Sequence, residues 1–310
     1  MKNDFLPSFY LKNTADLTCD FYGADHPENL NFNQNYPYVV HYKFNSRGYR
    51  DYEWPGVAEQ CKSAVWCIGD SATLGIGSPV AHTWPQLLAD RWQKPTINIS
   101  LMGASNDFIE RKCVELLTEL QPEFIVLCWS FLYRRDYLTD QVSEFVRLET
   151  QRNWQEFYLN IKDTTWPPCQ DIEDMHTLPA QIQQEIQQKY QAPTVPVTDE
   201  TYMYAENHDQ VVAQAARRGE QQEVEYFLDK IHNISAHQQT TRIFHTIVPN
   251  AASAAESKLL KQKLQEIDLP MYFIEQCDHA RDKSHWDIKT NTLIVDKVSQ
   301  QLLESERKKQ

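Results

Sequence analysis

The sequence predicts an α/β protein: a three-layer α/β/α sandwich on a parallel sheet of roughly five strands, interrupted by a helical insertion. Two observations lead there. Short apolar runs at 64–68 and 124–129 have the composition of strands buried on both faces, as in a parallel sheet covered by helices. Segments with helical spacing alternate with such runs, which is the βαβ pattern of a doubly wound sheet with right-handed crossovers.

The elements follow in chain order. Residues 1–60 are rich in aromatics and Asn, and read as an N-terminal arm laid over the main domain. They carry a β-like segment at 38–44 that ends in the turn Asn45-Ser46-Arg47-Gly48. The strand at 64–68 stops at Gly69-Asp70-Ser71. A helix over 84–92 has Pro85 in its first turn and Leu87, Leu88 and Trp92 at helical spacing. A strand at 95–100 leads past Gly103 to a helix over about 106–120, with Phe108, Ile109, Cys113, Leu116, Leu117 and Leu120 on one face. Pro122 precedes the strand at 124–129.

From about 138 to 238 the chain turns Gln-rich and acidic, with helix-like stretches near 138–161, 178–190 and 207–237 and a linker containing Pro193 and Pro196. No repeat period is visible, so this region reads as an insertion in the position of a lid. The α/β pattern resumes with a strand at 242–248, a helix at 253–267 and a strand at 271–274. A closing helix at 288–306 follows, with Ile288, Leu293, Ile294, Val298, Leu302 and Leu303 inward. The domain boundaries expected are an arm at 1–60, an α/β domain at 61–137 and 239–310, and an insertion at 138–238.

Composition narrows the function. With 30 Lys+Arg against 43 Asp+Glu the formal net charge is −13, which disfavours nucleic acid and anionic lipid surfaces and favours a neutral or small ligand. The N-terminus lacks an apolar leader core and the longest apolar runs are far short of a membrane span, so a soluble, cytoplasmic protein is expected. Seven cysteines form no C-x-x-C pair, which suits reduced, buried thiols. Of only 8 glycines, six fall between positions 48 and 103, and that stretch is where a backbone-lined site is sought.

Ligands of doubly wound sheets bind beyond the carboxyl ends of the strands. Here those ends carry Gly69-Asp70-Ser71, Gly103-Ala104-Ser105-Asn106, Ser130 and Asp282-Lys283-Ser284-His285. A serine, a histidine and an aspartate at one rim supply the nucleophile, base and orienting carboxylate of acyl transfer. Asp282 stands three residues before His285, within reach of Nδ1 across one turn. Each residue also has a plainer use. Ser71 can cap the next segment, Ser105 and Asn106 can cap a helix, and Arg134 and Arg135 suit a solvated pair or a clamp for an anionic group. A metal set of Asp278, His279, Asp282 and His285 leaves Ser71 unexplained. Gly75-x-Gly77 lacks the third glycine of a dinucleotide fingerprint, and Trp66, Trp84 and Trp129 read as core. No cofactor is expected.

These blocks resemble the SGNH (GDSL-like) hydrolase superfamily, with its flavodoxin-like sheet. The matches are Gly69-Asp70-Ser71, Gly103 and Asp282-x-x-His285, with Thr83-Trp84-Pro85 opening the first helix. Asn45-Ser46-Arg47-Gly48-Tyr49-Arg50-Asp51 likewise resembles a segment preceding the catalytic domain in some members. The resemblance covers about 45–136 and 240–306. It implies a Ser71 nucleophile, a His285 base oriented by Asp282, and an oxyanion hole from the N–H groups of Ser71 and Gly103. The family's third donor, an Asn in a Gly-x-Asn turn after the third strand, is missing; Ser130, Asn106 or Arg134 then substitutes, or the hole has two donors. The activity implied is hydrolysis of a small acyl ester, such as an O-acetyl group on a carbohydrate or metabolite. The alternative is a weak or inactive SGNH-fold binding or scaffold protein.

Overall fold

The computed structural model describes residues 6, 9–11, 15–19, 40–132, 134, 220–248, 251–252, 254–282 and 285–307. The helix-like stretches near 138–161 and 178–190, the linker with Pro193 and Pro196, residues 207–219 of the third stretch and Arg135 lie outside the described residues, as does the body of the expected lid.

A parallel sheet forms the centre: β3 (Val65–Ile68), β4 (Thr96–Asn98), β5 (Phe124–Trp129), β6 (Arg242–Ile247) and β7 (Met271–Phe273), in the order β4-β3-β5-β6-β7. Every neighbouring pair is parallel, with Cys67 opposite both Asn98 and Val126, and Leu127 opposite His245. Counting within the sheet, the order is 2-1-3-4-5. The winding therefore reverses between β3 and β5, and a crevice opens above their carboxyl ends. All residues of β3 and β5 are buried, which is why their sequences are continuous apolar runs rather than alternating ones.

The helices are α1 (Ala58–Ser63), α2 (Ser71–Leu74), α3 (Trp84–Trp92), α4 (Asn106–Glu119), α5 (Glu220–His237), α6 (Ala254–Glu266) and α7 (Ile288–Arg307). Helix α3 packs on α7, while α5 packs on both α4 and α6. Right-handed crossovers put these two groups on opposite faces of the sheet, completing three layers. Pro85 occupies the first turn of α3, and the Ser105 hydroxyl caps α4 by accepting from Phe108 N at 3.2 Å. Trp66, Trp84 and Trp129 are fully buried in the core, as their sequence positions suggest.

Two features differ from expectation. Helix α5 falls within 138–238, yet Val224, Phe227, Ile231 and Ile234 join the main core, and the Phe227 ring meets Trp129 edge-on at 5.0 Å. Among the described residues it is the helix that leads back into β6 in the crossover from β5; its Gln- and Glu-rich outer face hides that role in composition. In α7 the buried stripe is Thr290, Asn291, Ile294, Val295, Val298 and Gln301, whereas Ile288 and Leu303 are 40% and 56% exposed. At about 100° per residue, Leu303 falls on the far side from Ile294 and Val298.

The described parts of the N-terminal region lie on the domain. Leu6, Phe9 and Leu11 enter the main core, with Phe9 edge-on to Trp66 at 5.7 Å. Of the expected segment 38–44, residues 40–44 are described, and among these Tyr42–Lys43 form a strand, β2, antiparallel to β1 (Thr18–Cys19). Cys19, Val40, Tyr42 and Phe44 form a second apolar cluster with Leu74, Ile76 and Met102, against α2 and its following turn. Six cysteines among the described residues are free thiols, five of them buried. No described helix is long and apolar enough to cross a membrane.

Candidate active site

The chain leaves β3 through Gly69, where only a glycine fits. A Cβ there would stand 2.0 Å from Thr73 Oγ1 and 3.1 Å from the Cys128 carbonyl oxygen. Asp70 then starts α2 from an extended conformation, its Oδ1 accepting from Ala72 N at 3.0 Å. Ser71 is the first residue of that single turn, and Gly75, at φ 80°, ends it with its N–H on the Ser71 carbonyl at 2.9 Å. This brings Ser71 to the carboxyl end of β3, at the crevice where the winding reverses.

His285 reaches the same point from the last crossover. Its Nε2 lies 2.8 Å from Ser71 Oγ and its Nδ1 lies 2.5 Å from Asp282 Oδ2. Asp282 Oδ1 also accepts from the His285 backbone N–H at 3.0 Å, closing the i,i+3 turn on itself. The carboxylate accepts a hydrogen bond from Nδ1–H, so Nε2 is left to accept from the serine hydroxyl. Burial acts to lower the His285 pKa, but the charge and hydrogen bond of Asp282 outweigh it, Asp70 adds to the rise and Arg134 opposes it; the net shift is upward. The loop carrying Asp282 is tied to the turn after Ser71, because Arg281 N donates to the Gly77 carbonyl at 3.1 Å. Gly77 has φ 76°, and a Cβ on it would stand 3.0 Å from Asp282 N.

The remaining sequence candidates behave differently. Gly103, at φ 68°, sits in a buried turn next to β3, where Leu101 N donates to the Gly69 carbonyl at 3.3 Å. Among the described residues, neither the Ser71 nor the Gly103 N–H donates to a backbone carbonyl. Asn106 is engaged as a strut: its Oδ1 accepts from Ser130 N at 2.9 Å, and its Nδ2 donates to the Phe131 carbonyl at 3.0 Å and the Ser130 carbonyl at 3.4 Å. The Ser130 hydroxyl donates to Asp70 Oδ2 at 2.6 Å. Both side chains therefore hold the end of β5 in place, and their donors are taken up by protein acceptors. Arg134 is not a solvated residue: Nη1 bonds Asp70 Oδ2 and Ser130 Oγ, each at 3.0 Å, and its side chain is 14% exposed.

Among the described residues no group of three or more His, Cys, Asp and Glu is placed to hold a metal ion. Asp278 instead caps α7, accepting from Lys289 N at 2.7 Å, from Thr290 N and Asp287 N at 3.1 Å, and from Thr290 Oγ1 at 2.7 Å. Two roles escaped the sequence analysis. Asp70 was visible as part of a motif, but its position as hub of a Ser130 and Arg134 network was not. The segment 45–51 was visible as a motif, but its contacts to the turn after Ser71 carry no local signal.

No family model and no curated protein matches the chain. Solved structures do. A GDSL-like lipase from Bacteroides thetaiotaomicron is 8% identical at a TM-score of 0.36, over 81% of this chain and 91% of that one. A protein provisionally described as an acylhydrolase from Bacteroides fragilis is 10% identical at a TM-score of 0.36, over 79% of this chain and 88% of that one. The fold assignment rests on the strand order and register of the chain itself.

Proposed function

We propose that the chain is a serine ester hydrolase of the SGNH (GDSL-like) type, acting on a small acyl ester such as an O-acetyl group on a carbohydrate or metabolite. The observation that supports this best is the unbroken relay from Ser71 Oγ through the His285 ring to the Asp282 carboxylate, at 2.8 and 2.5 Å. In this reading Ser71 Oγ attacks the ester carbonyl while His285 Nε2 takes its proton. The N–H groups of Ser71 and Gly103 receive the oxyanion. Collapse expels the alcohol, which takes the proton from His285, and an acyl-Ser71 ester remains. Water, deprotonated by the same Nε2, attacks that ester and releases the acid. Asp282 holds the imidazole tautomer and stabilises the imidazolium that forms twice per turnover.

The engaged side chains of Ser130 and Asn106 favour a hole of two backbone donors rather than three. One missing donor costs about 10²–10³ in rate, so the activity expected is correspondingly modest. The same observation favours the second reading, a binding or scaffold protein that keeps the fold. A serine-reactive fluorophosphonate and short p-nitrophenyl esters separate the two. Labelling and hydrolysis that disappear in Ser71→Ala support the hydrolase; a wild-type protein that neither labels nor hydrolyses refutes it.

A further inference from the structure

We propose that Arg50 is a positioning residue of this site. Its guanidinium fixes the turn that follows Ser71 and, through that turn, the loop that carries Asp282. The inference rests on the reading of Ser71, Asp282 and His285 as a catalytic triad, and it gives the 45–51 segment a role in that triad's alignment.

Arg50 is 2% exposed. Its Nη1 donates to the Leu74 carbonyl at 2.9 Å and to the Gly75 carbonyl at a shorter distance, and its Nη2 donates to the Ser78 carbonyl at 2.6 Å. Leu74 and Gly75 close α2, and carbonyls at the end of a helix have no partner within it. The two arms of one planar fork thus span the turn from its start to its end. The guanidinium also lies over the Tyr42 ring at 4.2 Å, and the Tyr42 hydroxyl accepts from Gly77 N at 2.7 Å. The side of the turn facing the N-terminal region is therefore held by Arg50 and Tyr42.

Its other side is held by the chain around Asp282 and His285. The Gly77 carbonyl accepts from Arg281 N at 3.1 Å. The Ser78 hydroxyl donates to Asp287 Oδ1 at 2.9 Å and lies 3.4 Å from the Trp286 carbonyl. Residues 75–78 thus touch the nucleophile helix, the acid and base loop, and Arg50 at once.

Arg50 is itself fixed by its motif. Asn45 Oδ1 accepts from Arg47 N at 3.0 Å and Tyr49 N at 3.1 Å, shaping the turn before it. After it, Asp51 Oδ2 accepts from Asn98 N at 2.8 Å, pinning the segment to β4.

An apolar replacement would fill the volume but take the guanidinium donors from the Leu74 and Ser78 carbonyls and leave the Gly75 carbonyl with the Ser78 N–H, at 3.2 Å. A lysine would bring one point charge to a place shaped for a fork, so this exchange is not conservative. A displacement of about 1 Å in a reacting group costs on the order of 10²-fold in rate. That is the size of effect expected here, in kcat rather than in KM, since Arg50 is buried beneath the turn.

The test compares wild type with Arg50→Lys and Arg50→Gln, using p-nitrophenyl acetate hydrolysis and fluorophosphonate labelling, with rates expressed per folded molecule from melting curves and circular dichroism. The expected result is a loss of about 10²-fold in kcat and in labelling rate with KM nearly unchanged in both folded variants. Partial rescue of a folded Arg50→Ala by added guanidinium is expected too, which a loss of general stability would not produce. Wild-type kcat and labelling rate per folded molecule in the Lys and Gln variants would overturn the proposal, and so would losses that only track the unfolded fraction. An inactive, unlabelled wild type overturns the triad reading and this inference with it, whereas an active wild type with unaffected variants overturns this inference alone.

Discussion

Arg134 Nη1 stands 3.0 Å from Asp70 Oδ2, so the residue immediately before Ser71 carries a guanidinium on its carboxylate. Asp70 is 2% exposed and the same oxygen accepts from Ser130 Oγ, which makes this a largely buried ion pair with further hydrogen bonds. Both charges act on His285, in opposite senses: Asp70 raises its pKa and Arg134 lowers it.

Removing either charge should therefore move the rising limb of the kcat/KM profile. Arg134→Met is expected to shift it to higher pH and Asp70→Asn to lower pH. Shifts in the same direction would contradict the geometry. Because breaking a buried pair strands the other charge, Arg134→Met should also lose about 3 kcal/mol of stability, read from urea melts.

His285 must be neutral to act as a base, and its pKa is raised above the ordinary 6.5. Activity should consequently rise with pH through a midpoint above 6.5. Asp282→Asn removes the carboxylate responsible, so the midpoint should fall while kcat drops by about 10⁴, the size of loss seen when the imidazole is held in the wrong tautomer. A pH–rate profile of the residual activity reads both effects.

Gly77→Ala places a Cβ against Asp282 N at a backbone φ of 76°. The left-handed conformation costs about 1–2 kcal/mol for a residue with a Cβ, and the contact adds to it. Lower stability together with slower fluorophosphonate labelling is expected. Gly56→Ala, where a Cβ meets nothing within 4 Å, serves as the control and should stay within about 0.5 kcal/mol of wild type.

Two buried groups titrate against each other. Burial pushes the Asp51 carboxyl up from 3.8 to about 7, against the hydrogen bonds it accepts, and burial pushes His245 down from 6.5 to about 4. Folded Asp51 holds a proton that the unfolded chain has released, so its contribution is full below pH 3.8 and is lost as pH rises toward 7. Folded His245 lacks a proton that the unfolded chain binds, so its contribution is full above pH 6.5 and is lost as pH falls toward 4. Between about pH 4 and 6.5 the two slopes oppose and nearly cancel, each at most about 1.4 kcal/mol per pH unit. Asp51→Asn should expose the acid-side loss, and His245→Gln, which keeps an acceptor for Trp129 Nε1, should expose a fall in stability as pH rises. Urea melts across that range read the slopes.

Much of the fold was legible because its signals are local. Helix α3 begins at Trp84 with Pro85 in its first turn, as its sequence suggests, and Phe124–Trp129 is the strand its unbroken apolar run predicts. The Asp282 to His285 contact was legible for the same reason, since three residues close one turn. The membership of α5 in the core was not, because Val224, Phe227 and Ile231 are set in a Gln- and Glu-rich stretch of which Gln221, Gln222 and Glu225 face outward. The fates of Asn106, Ser130 and Arg134 were not legible either. Whether an amide or a guanidinium is spare depends on which acceptors stand within about 3 Å, and those are on other strands and loops.

By itself the sequence determined the alternation of buried strands and amphipathic helices, and the placing of Ser71 and Gly103 shortly after strands and of Asp282 and His285 in the connection that follows the last one. Periodicity and burial on both faces of a sheet are written into neighbouring residues. Only the tertiary structure decided that Arg134 pairs with Asp70, that Asn106 and Ser130 brace β5, and that Arg50 grips the turn beyond Ser71. Short-range polar partners are chosen by the sheet order, which brings together residues 24, 60 or 64 positions apart in the chain.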